Sequence, residues 1–400
     1  MISLSRIFKI RIVLSVLMLA AGVLISGCSE DPSSVGSGIL PDKISIKEYN
    51  SAVDAPVAQS ANFSKVLSLN NAGIFLVGRS EGVNATSLIR FDFSVFPYKT
   101  DLLNDSLTIL SAQVRLTPFY NFGDTASTLP LEVYKVYNNW SSGTITADSA
   151  GELVAPRIDR IVSGSREFYD SLYKFKISTD LVKEWLMAAS SDTLGYVDNG
   201  IMLSSAGNAS KIVGFRSFSG DPNIIPSIEL ILQKPGSYTD TVVYNLLEDI
   251  HYVEGAAPSI PAGRLFTRSG TVDFTSLAFD ISSVPATASI NKATLTLHID
   301  SLNSRWGDEY NDALVAFFMS DSISKTYESI TSGKLTRSGW TFSGEVTSII
   351  TRMRFQKNNQ GFAISPGSQI EGVERFVFYP PTHPDTTLRP VLKIYYSEAE

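Results

Sequence analysis

Four short segments of this chain occur twice in the same order, and this internal repeat constrains the fold more than any other feature of the sequence. The first copy contains them at 87–97, 112–116, 199–204 and 226–231, and the second at 276–285, 293–297, 360–365 and 390–395. Four matches in one order are hard to obtain by chance. The sequence therefore predicts two copies of one domain, at 45–235 and 240–398. These lengths suit β-sandwiches rather than small solenoid units.

The segments between the turns have the composition and spacing of β-strands. Short runs rich in Val, Ile, Thr, Phe and Tyr are separated by Gly, Asn, Asp, Ser and Pro. Three runs place apolar side chains at every second position, as half-buried antiparallel strands do: 113–117, 131–137 and 392–395. Helical spacing occurs at 178–189, where Thr179 or Asp180 could cap the helix, and at about 344–354. We predict an all-β protein of two tandem jelly-roll-like antiparallel β-sandwiches, each with one short helix.

Residues 1–27 have the three-part layout of a cleaved export signal. Arg6, Lys9 and Arg11 precede an apolar run at about 12–25, and small residues lead to Cys28. The run is shorter than the roughly 20 residues of a membrane-spanning helix, which argues against a transmembrane anchor; a secretory signal with a chance cysteine is the other alternative. The segment ending in Cys28 resembles the bacterial lipobox, which implies lipid attachment at Cys28. Several acyl chains on one cysteine form a durable membrane anchor.

Residues 28–44 are predicted to form a flexible tether, because the Pro/Ser/Gly-rich stretch 32–38 cannot bury a core. The acidic pair Glu30 and Asp31 resembles the export signal that sends Bacteroidota lipoproteins to the outer face of the outer membrane. A solvated linker without that meaning is the alternative. The segment 31–41 also looks like the start of lipoproteins from that phylum. The resemblance implies an outer-membrane, lipid-anchored protein exposed at the cell surface.

Charge and cysteine content exclude several classes of function. The formal net charge is −7, and without the three basic residues of the signal it becomes −10, from 30 basic and 40 acidic residues. No dense Lys/Arg cluster is present, which argues against a nucleic-acid partner. Cys28 is the one cysteine, so after acylation the chain has no thiol nucleophile, Cys-ligated zinc or iron–sulfur cluster. We predict no cofactor, with calcium as the one candidate.

Several framework segments resemble a known domain family. In the first copy they are 88–94, 112–116, 133–136, the segment 140–146 that begins with Trp140, and the closing strand 226–231. Together they resemble the DNRLRE-type domain, a jelly-roll-like β-sandwich of bacterial surface proteins that is related to a family of carbohydrate-binding modules. The second copy has 320–323 in place of the Trp140 segment. Any ligand role of that segment would therefore not extend to the second copy.

The sequence contains no recognisable catalytic motif. His251, His298 and His383 have no ligand or base spacing, and there is no Gly-x-Ser-x-Gly elbow, phosphate-binding glycine loop or His-Glu-x-x-His. Paired carboxylates from distant strands could still meet and cleave glycosides, as two carboxyl groups suffice for that reaction. We predict that the protein is not an enzyme, with a glycan-cleaving enzyme as the less favoured alternative.

Two groups of side chains are candidates for ligand contact. Exposed aromatic rings stack on sugar faces, and the candidates of this kind are Tyr120, Phe122, Trp140, Trp306 and Tyr310. For most of them, core packing is the competing interpretation. Asp308, Glu309 and Asp312 could supply oxygen ligands to Ca²⁺, although the EF-hand spacing is absent and a solvated acidic turn is the alternative.

The sequence therefore favours a surface-anchored, non-catalytic binding or adhesion module, with polysaccharide as the expected ligand. The main alternative is a structural part of an outer-membrane or envelope protein complex. A binding module should expose clustered aromatic rings, a structural part should expose a large apolar patch, and an enzyme should place converging carboxylates in a cleft.

Overall fold

The computed structural model describes residues 44–54, 57–65, 69, 72–154, 159–162, 172–217, 223–308 and 312–399. Within these residues the chain forms two large antiparallel sheets with a few short helices, so the predicted all-β sandwich fold is confirmed. The signal peptide with Cys28, residues 29–43 of the tether, Glu309 and Tyr310 lie outside the described residues.

Each sheet has eleven strands. The strands of the first sheet are β3 (Ile74–Ser80), β4 (Val83–Phe91), β5 (Thr108–Leu116), β6 (Pro118–Gly123), β7 (Leu131–Lys135), β8 (Arg160–Val162), β9 (Tyr173–Lys176), β10 (Ile201–Ser205), β11 (Lys211–Arg216), β12 (Ser227–Lys234) and β13 (Tyr238–Gly255). The strands of the second are β1 (Ile44–Asn50), β2 (Val57–Ser64), β14 (Leu265–Arg268), β15 (Asp273–Phe279), β16 (Ser289–His298), β17 (Ala313–Asp321), β18 (Thr326–Ser338), β19 (Thr341–Glu345), β20 (Phe362–Pro366), β21 (Arg375–Phe378) and β22 (Val391–Ala399). We refer to the two strand sets, with the helices between their strands, as the first half and the second half.

Among the described residues, four α-helices connect the strands: α1 (Lys99–Leu103), α2 (Ala147–Val154), α3 (Thr179–Ser190) and α4 (Thr347–Phe355). The last two are the predicted helices, whereas α1 and α2 add two short helices to the first half. The N-cap of α3 is Ser178, whose hydroxyl accepts a hydrogen bond from the Asp180 backbone N–H at 3.2 Å. The cap lies before the predicted position because Ser178 keeps an extended backbone, as an N-cap residue should.

The first half folds into two layers around one apolar core. Strand β13 joins the layers, because its first part pairs with β12 and its second part pairs with β4. Side chains from both layers, including Phe75 and Val114, are fully buried, and Trp185 of α3 packs into the same cluster. Burial of each such side chain contributes about 1.5–3 kcal/mol relative to exposure, so the core stabilises both layers together.

The second half repeats this plan. Strand β18 pairs with β17 and with β19, so the sheet continues from one layer to the other. The second core lies between the layers and contains Leu295, Phe342 and Phe362 among its fully buried side chains. Strand β17 in turn pairs with β20, and β20 pairs with β15. These strands form the layer that faces β16 and β22 across the second core.

The repeated segments pair in the same register in both halves. Ile89 of β4 lies opposite Ile201 of β10, and the equivalent residues Leu277 and Phe362 are partners in the second half. In the other layer the equivalent pairs are Val114 with Ile228 and Leu295 with Leu392. The internal repeat found in the sequence is therefore a repeat of strand pairing.

The edges of the two halves differ from the predicted domain boundaries. Residues 44–64, assigned mostly to the first copy, form β1 and β2, and these strands pair with β22 and β15 of the second half. Tyr49 of β1 is buried in the second core, and its hydroxyl donates to the Asp280 carbonyl at 2.7 Å. Conversely, β13 extends the first half to Gly255. Alternation shows which residues form strands, but it does not show which sheet edge accepts them.

Candidate functional site

A cleft of about 660 Å³ lies where the two halves meet. The first half lines it with residues 79–82 at the turn between β3 and β4, with 122–124 at the end of β6, and with 209–210. The second half contributes Arg305 and Trp306. Side chains of opposite halves therefore face one solvent-filled space, and we refer to it as the junction cleft.

The hairpin turn at the rim of the junction cleft is determined by its two central residues. Glu81 and Gly82 have positive φ angles of 49° and 78°, the arrangement of a two-residue turn that matches the twist of the flanking strands. A Cβ at Gly82 would meet nothing within 4 Å, so its backbone faces open space. The rim is therefore open to solvent at Gly82.

Contacts with β6 hold the Trp306 segment in place. The carboxylate of Asp308 accepts hydrogen bonds from the Asn121 backbone N–H at 2.6 Å and from its side-chain amide at 2.8 Å. The Asp308 backbone N–H donates to the Asn121 carbonyl at 3.0 Å. A Cβ at Gly307 would lie 2.4 Å from the ring of Tyr120, so only glycine permits this approach. The second-half wall of the cleft is thus fixed to the first half.

A buried polar group lies behind this wall. Tyr120 is fully buried, and its hydroxyl accepts a hydrogen bond from the Val373 backbone N–H at 3.2 Å. Burial raises the pKa of Tyr120 well above its usual value, and the nearby carboxyl group of Glu374 adds to the rise. Burial likewise raises the pKa of Glu374. Both groups favour their neutral forms, and they support the junction without reaching its solvent-filled part.

The charged side chains around the cleft differ in whether they form ion pairs or hydrogen bonds with other protein groups. The Glu81 carboxylate lies 3.7 Å from Arg305 Nε and 3.8 Å from a terminal nitrogen of Arg375. The Asp124 carboxylate accepts from the Ala126 backbone N–H at 3.1 Å. Arg79 is exposed and has no ion-pair partner among the described residues. Its guanidinium is available for an anionic group.

Two tryptophans extend the cleft into an aromatic surface. Trp306 is half-buried and stacks on Phe376, with ring centroids 6.0 Å apart and planes 21° apart. The Arg337 guanidinium lies 5.2 Å from the Trp306 ring centroid. The ring of Trp340 is 6.1 Å from that of Trp306 and is 55% exposed, whereas Trp140 and Trp185 are only 4% and 2% exposed. Trp340 is therefore the indole with the most accessible face.

The structure distributes the predicted aromatic residues between the interior and the cleft. Tyr120, Phe122 and Trp140 are 0%, 3% and 4% exposed, so they do not form an open platform. Trp140 donates its indole N–H to the Asn199 carbonyl at 2.8 Å, and the Arg90 guanidinium lies 5.1 Å from its ring. Phe122 borders the junction cleft but packs mainly into an apolar cluster beneath it, and Trp306 lies in the cleft wall. For the buried rings, packing is the role the contacts support.

The acidic residues proposed for calcium have other partners. Asp308 binds Asn121, and Asp312 forms an ion pair with Arg337 at 2.6 Å. In the described part of the chain, no group of three or more His, Cys, Asp and Glu residues could hold a metal ion. Because Glu309 is not among the described residues, the calcium site stays a prediction.

Sequence reasoning missed the residues that give the junction cleft its accessible chemistry, namely Trp340, Arg79 and Arg305. One signal was present for Trp340. The pair Ser338-Gly339 before it is a turn signal in the sequence, and turns lie at the protein surface. In the structure Gly339 has a positive φ of 58° in the turn between β18 and β19. No comparable local signal marks Arg79 or Arg305, because the halves bring them together.

A second cleft, of about 410 Å³, contains Glu248 and Asp249 of β13. A register shift in the pairing of β13 with β4 precedes them. Glu248 forms an ion pair with Arg90, and its pKa is lowered by hydrogen bonds from Ser142 and from Arg90, which outweigh burial. Burial raises the pKa of Asp249 to about 7, and the charge of Glu248 adds to the rise. This cleft offers no aromatic ring among its described lining residues.

The histidines take no part in either cleft. His251 is fully buried, and burial lowers its pKa to about 4. Its Nε2 lies 2.6 Å from the Ile370 carbonyl, in the contact between the two halves. His298 and His383 each lie 3.2 Å from a backbone carbonyl, those of Arg389 and Asp385 respectively. Each of the three histidine rings therefore lies within hydrogen-bond distance of a backbone carbonyl.

Comparisons with known proteins do not assign a family. No protein-family model matches the chain, and no curated protein matches it. Among solved structures, one described as "Structure of the Macrobrachium rosenbergii Nodavirus" aligns at 10% identity over 88% of this chain and 97% of that chain, with a TM-score of 0.14. So weak a likeness supports no conclusion. None of the helices in the described part of the chain has the length and apolar character needed to cross a membrane.

Proposed function

We propose that this protein is a lipid-anchored surface protein of the outer membrane that binds a polysaccharide without cleaving it, and that it does so at the junction cleft and Trp340. The observation that carries the proposal is the exposed indole of Trp340 beside a polar cleft whose wall contains Trp306. A sugar ring presents apolar C–H faces and a rim of hydroxyl groups. It therefore requires both an accessible aromatic face and nearby hydrogen-bonding groups.

The junction cleft supplies these groups close together. Serine hydroxyls at Ser80 and Ser210, the Arg79 guanidinium and the open backbone at Gly82 line it, and Trp306 connects it with Trp340. Its volume of about 660 Å³ falls within the usual range of roughly 300–1,000 Å³ for ligand sites. The site is open, as a polymer that continues beyond it requires.

A non-catalytic role suits the carboxylates at this cleft. Hydrolysis of a glycoside needs one carboxyl group that donates a proton and a second that acts as base or nucleophile. Glu81 lies between two guanidiniums, and Asp124 binds the backbone of its own loop. Both are engaged with the protein itself. We therefore assign this cleft to recognition of the polymer and not to its cleavage.

The proposed location comes from the sequence. The signal layout that ends at Cys28, the tether and the acidic pair behind Cys28 support a lipid anchor on the outer membrane. The resemblance to the DNRLRE-type domain, with its relation to carbohydrate-binding modules, supports the same class of ligand. Such an anchored module would hold a polymer at the cell surface.

The test uses a soluble form that begins after Cys28, run in native gels that contain neutral or acidic polysaccharides. We expect one polymer to retard the protein and Trp340→Ala to abolish the retardation. Phe355→Ala is the matched control, because Phe355 is also an exposed aromatic residue, at 81% exposure. It lies at the end of α4, a helix that follows β19, whereas Trp340 lies just before β19. Retardation by no polymer, or equal loss in both variants, would overturn the proposal. In the first case, crosslinking on intact cells would test the structural-complex alternative.

A further inference from the structure

We infer that the polymer bound at the junction cleft is acidic, carrying carboxylate or sulfate groups that Arg79 and Arg305 recognise. This inference rests on the proposed function and names its ligand class. The mature chain has a formal charge of −10, from 30 basic and 40 acidic residues, so a general affinity for anions is not expected. Selection for an acidic polymer must come from local guanidiniums.

Arg79 is the first of these guanidiniums. It lies on β3 between Gly78 and Ser80, which are both buried, and its own side chain is exposed toward the cleft. No described acidic residue forms an ion pair with it. An arginine presents a planar fork of N–H donors that matches the two oxygens of a carboxylate or the oxygens of a sulfate. The hydroxyl groups of a neutral sugar also accept hydrogen bonds from this fork, but they lack the negative charge that makes such bonds about twice as strong.

Arg305 supplies the second guanidinium, and the protein holds it in a defined position. Its backbone exchanges hydrogen bonds with Arg375 at 2.8 and 2.7 Å. One terminal nitrogen donates to the carbonyls of Leu302 and Ser304, at 2.9 and 2.7 Å. The Glu81 carboxylate lies 3.7 Å from Arg305 Nε. This distance is too long for a hydrogen bond, so the ion pair is weak. The guanidinium is preorganised, and its weak ion pair leaves it able to accept a second anion.

The position of both arginines relative to the aromatic surface defines the orientation of the ligand. Arg305 directly precedes Trp306, which contacts the exposed Trp340, while Arg79 faces the cleft from the opposite half. A sugar on Trp340 would thus direct its neighbour along the polymer into the cleft, where its acid group meets the arginines. Glu81 and Asp124 also face the cleft. The charge of Glu81 is offset by the guanidiniums of Arg305 and Arg375, at 3.7 and 3.8 Å, and Asp124 accepts a hydrogen bond from the Ala126 backbone N–H.

Titration calorimetry with matched polymers tests this inference. Polygalacturonate and its fully methyl-esterified form share one backbone and differ in charge, and a sulfated dextran provides the sulfate arm. We expect the acidic polymers to bind at least about tenfold more tightly than the esterified one, with an affinity that falls as salt rises. Binding of the sulfated polymer alone would support the inference and identify sulfate as the acid.

Two variants localise the effect. Arg79→Gln should weaken binding of the acidic polymer about tenfold or more, since charge-assisted hydrogen bonds are lost. It should weaken binding of the esterified polymer much less, because glutamine still offers a neutral hydrogen-bond donor. Arg160→Gln is the control, because Arg160 is half-exposed on β8, at the other end of the layer that contains β3. Equal affinity for acidic and esterified polymers, or equal effects of the two variants, would overturn the inference and leave the proposed function standing. Binding of no polymer would overturn both.

Discussion

Replacement of Gly361 by alanine tests the repeated strand pairing in the second half. Gly361 immediately precedes β20 and has a positive φ of 93°. A Cβ built there would lie 2.3 Å from the carbonyl oxygen of Leu277, in the strand with which β20 pairs. The equivalent Gly200 has φ 68°, and its Cβ would lie 2.0 Å from the carbonyl oxygen of Ile89. Both glycines let two strands approach that a side chain would force apart.

The expected cost has two parts. A positive φ costs a non-glycine residue about 1–2 kcal/mol. Ordinary contact begins at 3.4 Å, so the strands would separate by about 1.1 Å, the difference between 3.4 and 2.3 Å. Strain of that kind costs about 1–3 kcal/mol, and one weakened ladder hydrogen bond adds about 1 kcal/mol. We expect Gly361→Ala to lower the free energy of unfolding by about 3–6 kcal/mol.

Gly263→Ala separates the two parts. Gly263 has φ 80°, but a Cβ there would meet nothing within 4 Å, so this variant carries only the backbone cost. Urea unfolding followed by far-ultraviolet circular dichroism gives the free energies, on the soluble form that begins after Cys28. Gly200→Ala should resemble Gly361→Ala. If Gly361→Ala destabilises the protein no more than Gly263→Ala does, β20 and β15 do not approach each other closely enough to require glycine.

Four further perturbations test the packing and electrostatics of the fold. Residues 45–235 expressed alone should fail to give a cooperative unfolding transition, because they lack β13, the partner of β4 and β12, and the second-half partners of β1 and β2. A sharp transition would contradict these pairings. Arg268→Ala should cost about 3–5 kcal/mol, since it leaves the buried Asp273 carboxylate without the ion pair made at 2.7 Å. Lys47→Ala, which breaks an exposed pair, should cost under about 1 kcal/mol in the same urea assay, and equal losses would refute the distinction. Burial raises the pKa of Asp249 to about 7, above roughly 3.9 in the unfolded chain. The folded chain therefore binds this proton more tightly than the unfolded chain does. The resulting contribution to stability is fully present below about pH 4 and is lost as pH rises through about 7. Asp249→Asn should therefore gain stability relative to wild type between about pH 4 and about pH 7, and a constant difference across that range would refute the shift.

Local patterns were sufficient to predict the strands and the repeat. Apolar alternation is a property of neighbouring residues, so it identifies β5, β7 and β22 without knowledge of their partners. The repeat also includes a turn that forms locally in both halves. Asp92 accepts a hydrogen bond from the Ser94 backbone N–H at 2.9 Å, and Asp280 accepts one from Ser282 at 3.0 Å. Short-range bonds of this kind leave a signature in sequence.

The exposure of a side chain and the pairing of β1 and β2 with the second half depend on residues that are distant in the sequence. Local patterns therefore do not predict them. Trp140 is buried in an apolar cluster, where the carbonyl of Asn199, 59 positions away, accepts its indole N–H, while Trp340 remains exposed at a hairpin turn. Both are tryptophans near polar residues, so composition does not separate them. The junction cleft has the same origin, since Arg79 and Arg305 meet only after the halves pack together.

Hydrogen exchange of backbone amides, with and without an acidic oligosaccharide, tests the location of the site most directly. We predict that the ligand slows exchange at residues 79–82, 122–124 and 305–306, around the junction cleft, and near Trp340. Amides around Glu248 and Asp249, in the second cleft, should exchange at unchanged rates. Protection confined to the second cleft, or protection at neither site by an oligosaccharide that binds, would contradict the assignment of the junction cleft as the binding site.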